Sequence, residues 1–463
     1  MVNKSKLPQD VYLEIFDAYR QLHQLQPRYE HVWNSRNGWF KLTHVCRSWR
    51  RLVHLSPSHL HVHLLFTSNR SSSVTMLSRL PPFPILIDCS DANWTLNGVN
   101  NALAAIRHQS RVRGITLHIK NRGRAKFLRA LSLPFPELES LNICLDSYTK
   151  PILPTTFLSN PLPCLRRLTL QGVIPSSLSP ILSSATGLVE LSLTPGHTSP
   201  LEPLLLTDLQ RLSCLRRLEL DLWRQPRTYH FVPPLPSVTG DGVPLSKLTH
   251  LIFKGHILSL ESLVVGLASP SLQHFTAELY DPSHMIFPIP HLCKFIRDSE
   301  CHFISICLSF SYASEFKFCA GTVSPTVNDQ PFINISLPRI VSLRQMGQEL
   351  SGPLSTVEEL NITRDVCPWE LEPSIQADGW RGFFYHLPRL KVVRMPVRLT
   401  YNVAHAFKED DLEPTLDLLP ALQRVEIERC SRRDKDVESV CRDFGPLMAV
   451  RERAGRPIGL DFL

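Results

Sequence analysis

Residues 165–172 read LRRLTLQG, and the same phrase returns along the chain as LVELSLTP (188–195), LRRLELDL (215–222) and LTHLIFKG (248–255). The shared form is apolar-x-x-apolar-x-apolar. Ten copies begin at Val112, Leu138, Leu165, Leu188, Leu215, Leu248, Leu272, Val357, Leu390 and Leu422. Successive starts lie 23 to 33 residues apart, except for one gap of 85 after Leu272. Self-similarity at that period predicts stacked supersecondary units sharing one continuous core. Alternation within each copy predicts a strand, with its apolar positions on one face and the residues between them on the other. Segments such as SSLSPILSSATG (176–187) and SLESLVVGLASP (259–270) carry helical aliphatic spacing and end at Gly or Pro. Each unit is therefore predicted to be strand, loop and helix. In the wide gap, FISICLSF (303–310) and FINISLPRIVSL (332–343) read as strands of two degenerate repeats.

The template resembles the strand of leucine-rich repeats, although the Asn that usually follows that strand is mostly missing. The resemblance implies that alternating residues line a concave sheet able to hold a protein. The expected binding residues are Arg167, Thr169 and Gln171; Glu190, Ser192 and Thr194; Arg217, Glu219 and Asp221; His250, Ile252 and Lys254; and His274, Thr276 and Glu278. Their mixed charge suits a specific polar protein surface rather than a lipid pocket.

At 463 residues the chain exceeds one ordinary domain. A net charge of +8 is mild for that length and does not indicate nucleic acid. Proline is abundant (38) beside 19 glycines, as expected for many short elements each stopped by Pro. The start, MVNKSKLPQD, has no apolar stretch, so no signal peptide is expected, and no membrane-length apolar run follows. The twelve cysteines show no CxxC pairs. Cys293, Cys301, Cys307 and Cys319 form the closest group, with spacings that match no zinc or redox pattern. Reduced, mostly buried thiols in a cytoplasmic or nuclear protein are expected, with Cys46, Cys307 and Cys367 in apolar surroundings.

Before the repeats, LPQDVYLEIFDAY (7–19) places Val11, Ile15 and Phe16 on one helical face behind Leu7, with Pro8 at a favoured helix start. KLTHVCRSWRRLV (41–53) spaces Leu42, Val45, Cys46, Trp49, Leu52 and Val53 as one stripe of a basic amphipathic helix. Between them, Pro27, Asn37 and Gly38 argue for a loop or a short extra helix. No helix-turn-helix spacing precedes the second helix, and its short apolar face suits neither DNA nor a membrane surface. Two such helices bury little area, so a partner or the rest of the chain must cover them.

Together these segments resemble an F-box, the motif that docks substrate receptors onto the Skp adaptor of cullin–RING ubiquitin ligases. The resemblance implies adaptor-binding or fold-holding roles for Leu7, Pro8, Val11, Ile15, Leu42, Val45, Cys46, Trp49 and Leu52. Two departures stand out: a longer segment between the helices (20–38), and His61 where the family often carries Trp. F-box, then SRLPPFPILIDCS, then LRRLTLQG-type strands also resembles a large F-box family of mushroom-forming fungi. The expected fold class is α/β. Residues 1–62 would be helical, 63–110 connecting segment and first units, and 111–463 an irregular leucine-rich-repeat solenoid.

No GxGxxG, Walker-type, GxSxG, HExxH or EF-hand pattern occurs in the sequence. His54, His59, His61 and His63 lack further ligands for a metal, and Asp410–Asp411 sit in a charged run expected to be solvated. No cofactor, metal or catalytic residue is expected. Arg107, Arg111, Arg113, Lys120, Arg122, Arg124, Lys126 and Arg129 form an acid-free basic run, expected to be solvated strand ends or, more sharply, a rim for acidic substrates. The leading expectation is a non-enzymatic substrate receptor with Skp-adaptor and cullin partners and an unidentified protein target. The runner-up is a scaffold without a ubiquitination role, its first helices acting as an N-terminal cap. Exposure separates the two: a docking face leaves Leu7, Pro8, Val11 and Trp49 partly in solvent, and a cap buries them against residues 60–110.

Overall fold

A computed structural model describes residues 7–24, 39–55, 64–67, 77, 82–90, 95–119, 124–145, 157–172, 178–194, 208–209, 211–222, 243–265, 267–268, 271–280, 289–298, 302–310, 316–321, 332–337, 342–364, 377–408, 417–428 and 435–463. The chain divides into two compact units. The first holds residues 1–214 and 224–226, and the second 215–223 and 227–463. The predicted loop or extra helix at Pro27, Asn37 and Gly38 lies outside the described residues.

The first unit opens with helices α1 (Gln9–Gln24), α2 (Trp39–Val45) and α3 (Arg47–Leu55). One helix was expected over 41–53, and the structure has two, broken at Cys46. The break has a local cause. Cys46 Sγ accepts the Trp49 amide (3.4 Å) in the manner of an N-cap, its carbonyl accepts the Arg50 amide (3.0 Å), and Arg50 Nε donates back to Thr43 O (2.8 Å). Phe16 of α1 is fully buried and meets Trp49 of α3 edge-on, centroids 4.7 Å apart, while Tyr12 flanks the same indole at 6.0 Å.

Six parallel strands follow in sequence order: β1 (Leu64–Thr67), β2 (Ile85–Cys89), β3 (Val112–Ile119), β4 (Ser140–Leu145), β5 (Arg167–Gln171) and β6 (Glu190–Thr194). Between them run α4 (Leu96–Ile106), α5 (Arg124–Ala130) and α6 (Ser179–Ser184). Thr95 caps α4, its Oγ1 accepting the Gly98 amide at 3.0 Å.

The second unit adds β7 (Arg217–Asp221), β8 (Val243–Pro244), β9 (His250–His256), β10 (Leu267–Ala268), β11 (His274–Tyr280), β12 (Ser305–Phe310), β13 (Phe316–Gly321), β14 (Ile333–Leu337), β15 (Glu359–Arg364), β16 (Val392–Pro396), β17 (Arg424–Glu428) and β18 (Gly459–Phe462). Its helices are α7 (Ile257–Val265), α8 (Pro290–Asp298), α9 (Leu343–Glu349), α10 (Ser351–Leu354), α11 (Ala377–Phe384), α12 (Thr400–His405) and α13 (Lys435–Arg453). The main sheet runs β7-β9-β11-β14-β13-β12-β15-β16-β17-β18, and β8 pairs β10 separately. The strands are parallel except that β13 is antiparallel to both neighbours. The architecture is thus mixed α/β with mostly parallel, repeat-derived sheets.

Every first, fourth and sixth apolar residue of the ten copies is buried; Leu165, Leu168 and Leu170 are each at 0% exposure. Backbone hydrogen bonds show why the two residues after the first apolar one are free to be polar. Leu165 donates its amide to Leu162 O (3.1 Å), which turns the chain into the strand. The next two amides, of Arg166 and Arg167, both reach one carbonyl of the preceding repeat, Glu139 O (2.8 and 3.1 Å). The same pair of bonds runs from Val189 and Glu190 to Arg166 O, from Thr249 and His250 to Arg216 O, and from Lys391 and Val392 to Glu358 O. In these copies the repeat is therefore stapled to the one before through main-chain bonds, and some side chains add to them: Thr249 Oγ1 also donates to Arg216 O (3.0 Å), and Lys391 Nζ to Glu358 (2.7 Å).

The wide gap holds the two predicted strands, β12 and β14, but they are not two repeats. The segment 316–321, unassigned from sequence, is a third strand between them, and the three form an antiparallel meander. Parallel pairing needs a crossover of a dozen or more residues, and the five between β12 and β13 are too few. Upstream of the meander, Glu261 of α7 seats the start of α8, its carboxylate oxygens accepting the amides of His291 (3.1 Å) and Leu292 (2.8 Å). Burial pushes the Glu261 carboxyl up, opposed by those two bonds. Near the C-terminus Arg451 is fully buried, and its Nη2 donates to Leu418 O (2.6 Å) and Leu419 O (2.9 Å).

Candidate protein-binding faces

The strand register sorts the predicted surface residues into rows across each sheet. In the first unit one row carries Ser140, Arg167 and Glu190; the next Thr116, Asn142, Thr169 and Ser192; the third His118, Cys144, Gln171 and Thr194. All are half-buried or exposed, between rows of buried Leu and Ile. The charge expected here is confined to the first row. The other two rows, from β3 to β6, present hydroxyls, amides, an imidazole and a thiol.

The second unit carries more charge. Arg217, His250 and His274 share one row. The two imidazoles stack with centroids 4.6 Å apart, and His250 Nδ1 lies 2.9 Å from Thr249 Oγ1. Burial, then His274, then Arg217, hold the His250 imidazole below its ordinary value. Arg217 also lies 3.7 Å from Glu219. In the third row Asp221, Lys254 and Glu278 align. Lys254 Nζ donates to Glu278 (2.8 Å), and this bond, against some burial, raises the ammonium above its ordinary value.

The middle row runs Glu219, Ile252, Thr276, Asn334, Cys319, Cys307, Asn361, Arg394 and Glu426. None of the last six was among the expected binding residues; Cys307 and Cys319 were noted only as thiols without a metal or redox spacing. Asn361, Arg394 and Glu426 were accessible through the same template in VEELNITR, LKVVRMPV and LQRVEIER. Glu426 is nearly buried and pairs with Arg394, with Arg424 at 3.7 Å, so the row ends on a fixed ion pair.

On the helical unit the nine motif residues separate by exposure. Leu7 (48%), Ile15 (43%) and Val45 (58%) lie open with Pro8 and Cys46, while Val11, Trp49 and Leu52 are half-buried. Leu42 (5%) belongs to the interior with Phe16 and Val53. Leu55, not expected from the motif, is also exposed (68%). Toward the strands, His54 of α3 meets Phe83 edge-on at 5.5 Å.

Part of the basic run is already engaged. Arg113 pairs with Glu137 (2.8 Å) and Glu139 (3.1 Å), and Arg111 Nε donates to Phe83 O (3.1 Å). Arg107, Lys126 and Arg129 are exposed; Arg124 opens α5; Lys120 and Arg122 lie outside the described residues. So do His59, His61, His63, Cys301, Cys367 and Asp410–Asp411. No group of three or more His, Cys, Asp or Glu able to hold a metal occurs among the described residues, nor a helix long and apolar enough to cross a membrane. None of the nine described cysteines is joined in a disulfide. The expectation that they are mostly buried fails: only Cys89 and Cys293 are, whereas Cys46 and Cys441 are exposed and five are half-buried. Cys46 is open because the helix breaks there.

No protein-family model matches the chain, and no curated protein does. Among solved structures it is similar to the leucine-rich repeat-containing protein LegL7 from Legionella pneumophila. The match is 10% identical, covers 82% of this chain and 97% of that one, and has a TM-score of 0.27.

Proposed function

We propose that this chain is a non-enzymatic substrate receptor whose N-terminal helices dock on the Skp adaptor of a cullin–RING ubiquitin ligase, while its strand faces hold a target protein. The observation that carries the reading is the exposure of four apolar side chains, Leu7, Pro8, Ile15 and Val45, on a helical unit whose buried side chains include Phe16, Leu42 and Val53. Large aliphatic side chains left this exposed on helices that also bury aromatic and aliphatic residues suit a partner surface. On this reading the chain supplies proximity: it raises the local concentration of the target beside the conjugating enzyme, and needs no nucleophile of its own.

The scaffold reading draws support from the His54–Phe83 contact, which ties α3 to the start of the sheet as a cap would. The two are separated by co-purifying the full chain with the Skp adaptor, beside a Leu7→Ala, Pro8→Ala double variant. The receptor reading expects wild-type capture that is lost in a double variant of unchanged circular dichroism. Folded wild-type protein that captures no adaptor refutes it and leaves the scaffold.

A further inference from the structure

The meander brings together two cysteines twelve positions apart in sequence. Cys307 of β12 and Cys319 of β13 lie directly opposite one another, both on the half-exposed face of the sheet. The hydrogen-bond phase of the neighbouring strands fixes what kind of pair this is. Glu359 donates its amide to Ile304 O (3.1 Å) across the parallel β12–β15 pair, so the Ile304 carbonyl and the peptide groups of residues 306 and 308 face β15, while the Ile304 amide turns to Gly321 O of β13 (2.9 Å). Those of Ser305, Cys307 and Ser309 therefore face β13. Independently, Phe275 donates to Phe332 O (2.7 Å), which turns Ile333 and Ile335 toward β13 and their partners Ala320 and Phe318 toward β14. Cys319 is thereby left facing β12. Both lines make Cys307–Cys319 a hydrogen-bonded antiparallel pair, the class with the wider Cα separation of about 5.5 Å.

That spacing matters chemically. A disulfide needs its Cβ atoms about 3.5–4.5 Å apart, and the wider pair class holds them near the upper end of about 4.5–5.5 Å. Two thiolates around one linear ion span roughly 4.6 Å between sulfurs, twice a metal–thiolate bond of about 2.3 Å. We propose that Cys307 and Cys319 form a two-coordinate thiolate seat for a soft monovalent d10 cation, of which Cu(I) is the representative. Zinc is not the fit, because it asks for four ligands and no third His, Cys, Asp or Glu joins the pair among the described residues.

In the free protein each thiol is turned outward. Cys319 Sγ donates to Asn334 Oδ1 (3.6 Å), and Cys307 Sγ lies 3.9 Å from Thr363 Oγ1. Rotation about χ1 brings both sulfurs onto one ion at the loss of two weak contacts. Loading breaks two S–H bonds, forms two S–Cu bonds and releases two protons to water, with no change in the oxidation state of copper. The resulting bis-thiolate carries one negative charge. Lys317, two residues before Cys319 on the same face, already acts on that thiol in the stabilising direction. Burial nonetheless pushes Cys319 up to about 11 and raises Cys307, so the unloaded pair is a poor nucleophile at neutral pH.

The inference is independent of the ligase reading. It is tested on the full chain, anaerobically, with Ag(I) and with chelator-buffered Cu(I), by following alkylation of each cysteine by mass spectrometry. One equivalent should slow alkylation at Cys307 and Cys319 together, by about tenfold or more, because a metal-bound sulfur is not a free nucleophile. Cys307→Ser should abolish protection at Cys319, and Cys319→Ser at Cys307, while Cys144→Ser changes neither. Wild-type co-protection is a sufficient readout if a serine variant fails to fold. Protection of one cysteine alone, persistence of protection in a folded single variant, or rapid closure of a Cys307–Cys319 disulfide by hydroperoxide would each overturn the assignment.

Discussion

In β5, Leu168 and Thr169 are neighbours in sequence and opposite in environment. Leu168 has no exposure and lies in register between Leu141 and Leu191, whereas Thr169 lies between Asn142 and Ser192 on the open face. Leu168→Ala removes buried methyl groups from a site walled on both sides by other buried leucines. Costs in such sites run about 2–5 kcal/mol, and about 3 is expected here. Thr169→Val keeps the β-branch and the volume on a solvated face, so its effect should stay within about 0.5 kcal/mol. Because the chain divides into two units, global melting is a poor readout, and native-state hydrogen exchange of β4–β6 peptides is the suitable one. At about 1.4 kcal/mol per tenfold, Leu168→Ala should speed their exchange roughly a hundredfold, and Thr169→Val by less than about threefold. Peptides of β16 and β17 should not change, since a repeat array couples mainly to nearest neighbours. If Thr169→Val matched or exceeded Leu168→Ala, the strand would have slipped by one residue and every row described above would be on the wrong face.

Gly172 has φ +71°, and a Cβ there would lie 2.5 Å from Leu145 O; Gly187 has nothing within 4 Å of that position. Gly172→Ala should therefore cost about 1–3 kcal/mol in urea unfolding of the first unit, while Gly187→Ala should be neutral or stabilise by up to about 1 kcal/mol. Equal effects would refute the turn geometry. For His250, a folded-state affinity for protons below that of the unfolded chain means a contribution fully present above the ordinary value of 6.5 and lost as pH falls through the lowered one. The urea midpoint of the second unit should fall between about pH 7.5 and about pH 5, and His250→Gln should shrink that fall. An unchanged pH dependence in the variant would show that the burial of His250 carries no such linkage.

The repeated parallel strands were legible because LRRLTLQG carries two signals at once, a period of two within the strand and a period of 23 to 33 residues between strands. FKFCAG alternates equally well, with Phe316, Phe318 and Ala320 inward, but lacks the leading Leu whose amide turn opens the other copies. Its direction depends on connection length rather than on its own residues. The break at Cys46 was hidden because Trp49, Leu52 and Val53 continue the apolar stripe of Leu42 in phase, while the sulfur-to-amide contact that ends the helix leaves no periodic trace. The Cys307–Cys319 pair was equally silent, since antiparallel register, not spacing, places the two opposite.

The paired amides that meet one carbonyl of the preceding repeat have an evolutionary consequence. They align the strands that carry them with their neighbours at the strand's first residues, whatever the chain does before it returns. Repeat lengths can therefore drift, and whole segments can be gained or lost between strands, without shifting the surface rows by a position. Such a chain can diversify its loops by insertion and its open face by point substitution as two separate processes, while buried leucines and a few carbonyls keep the count.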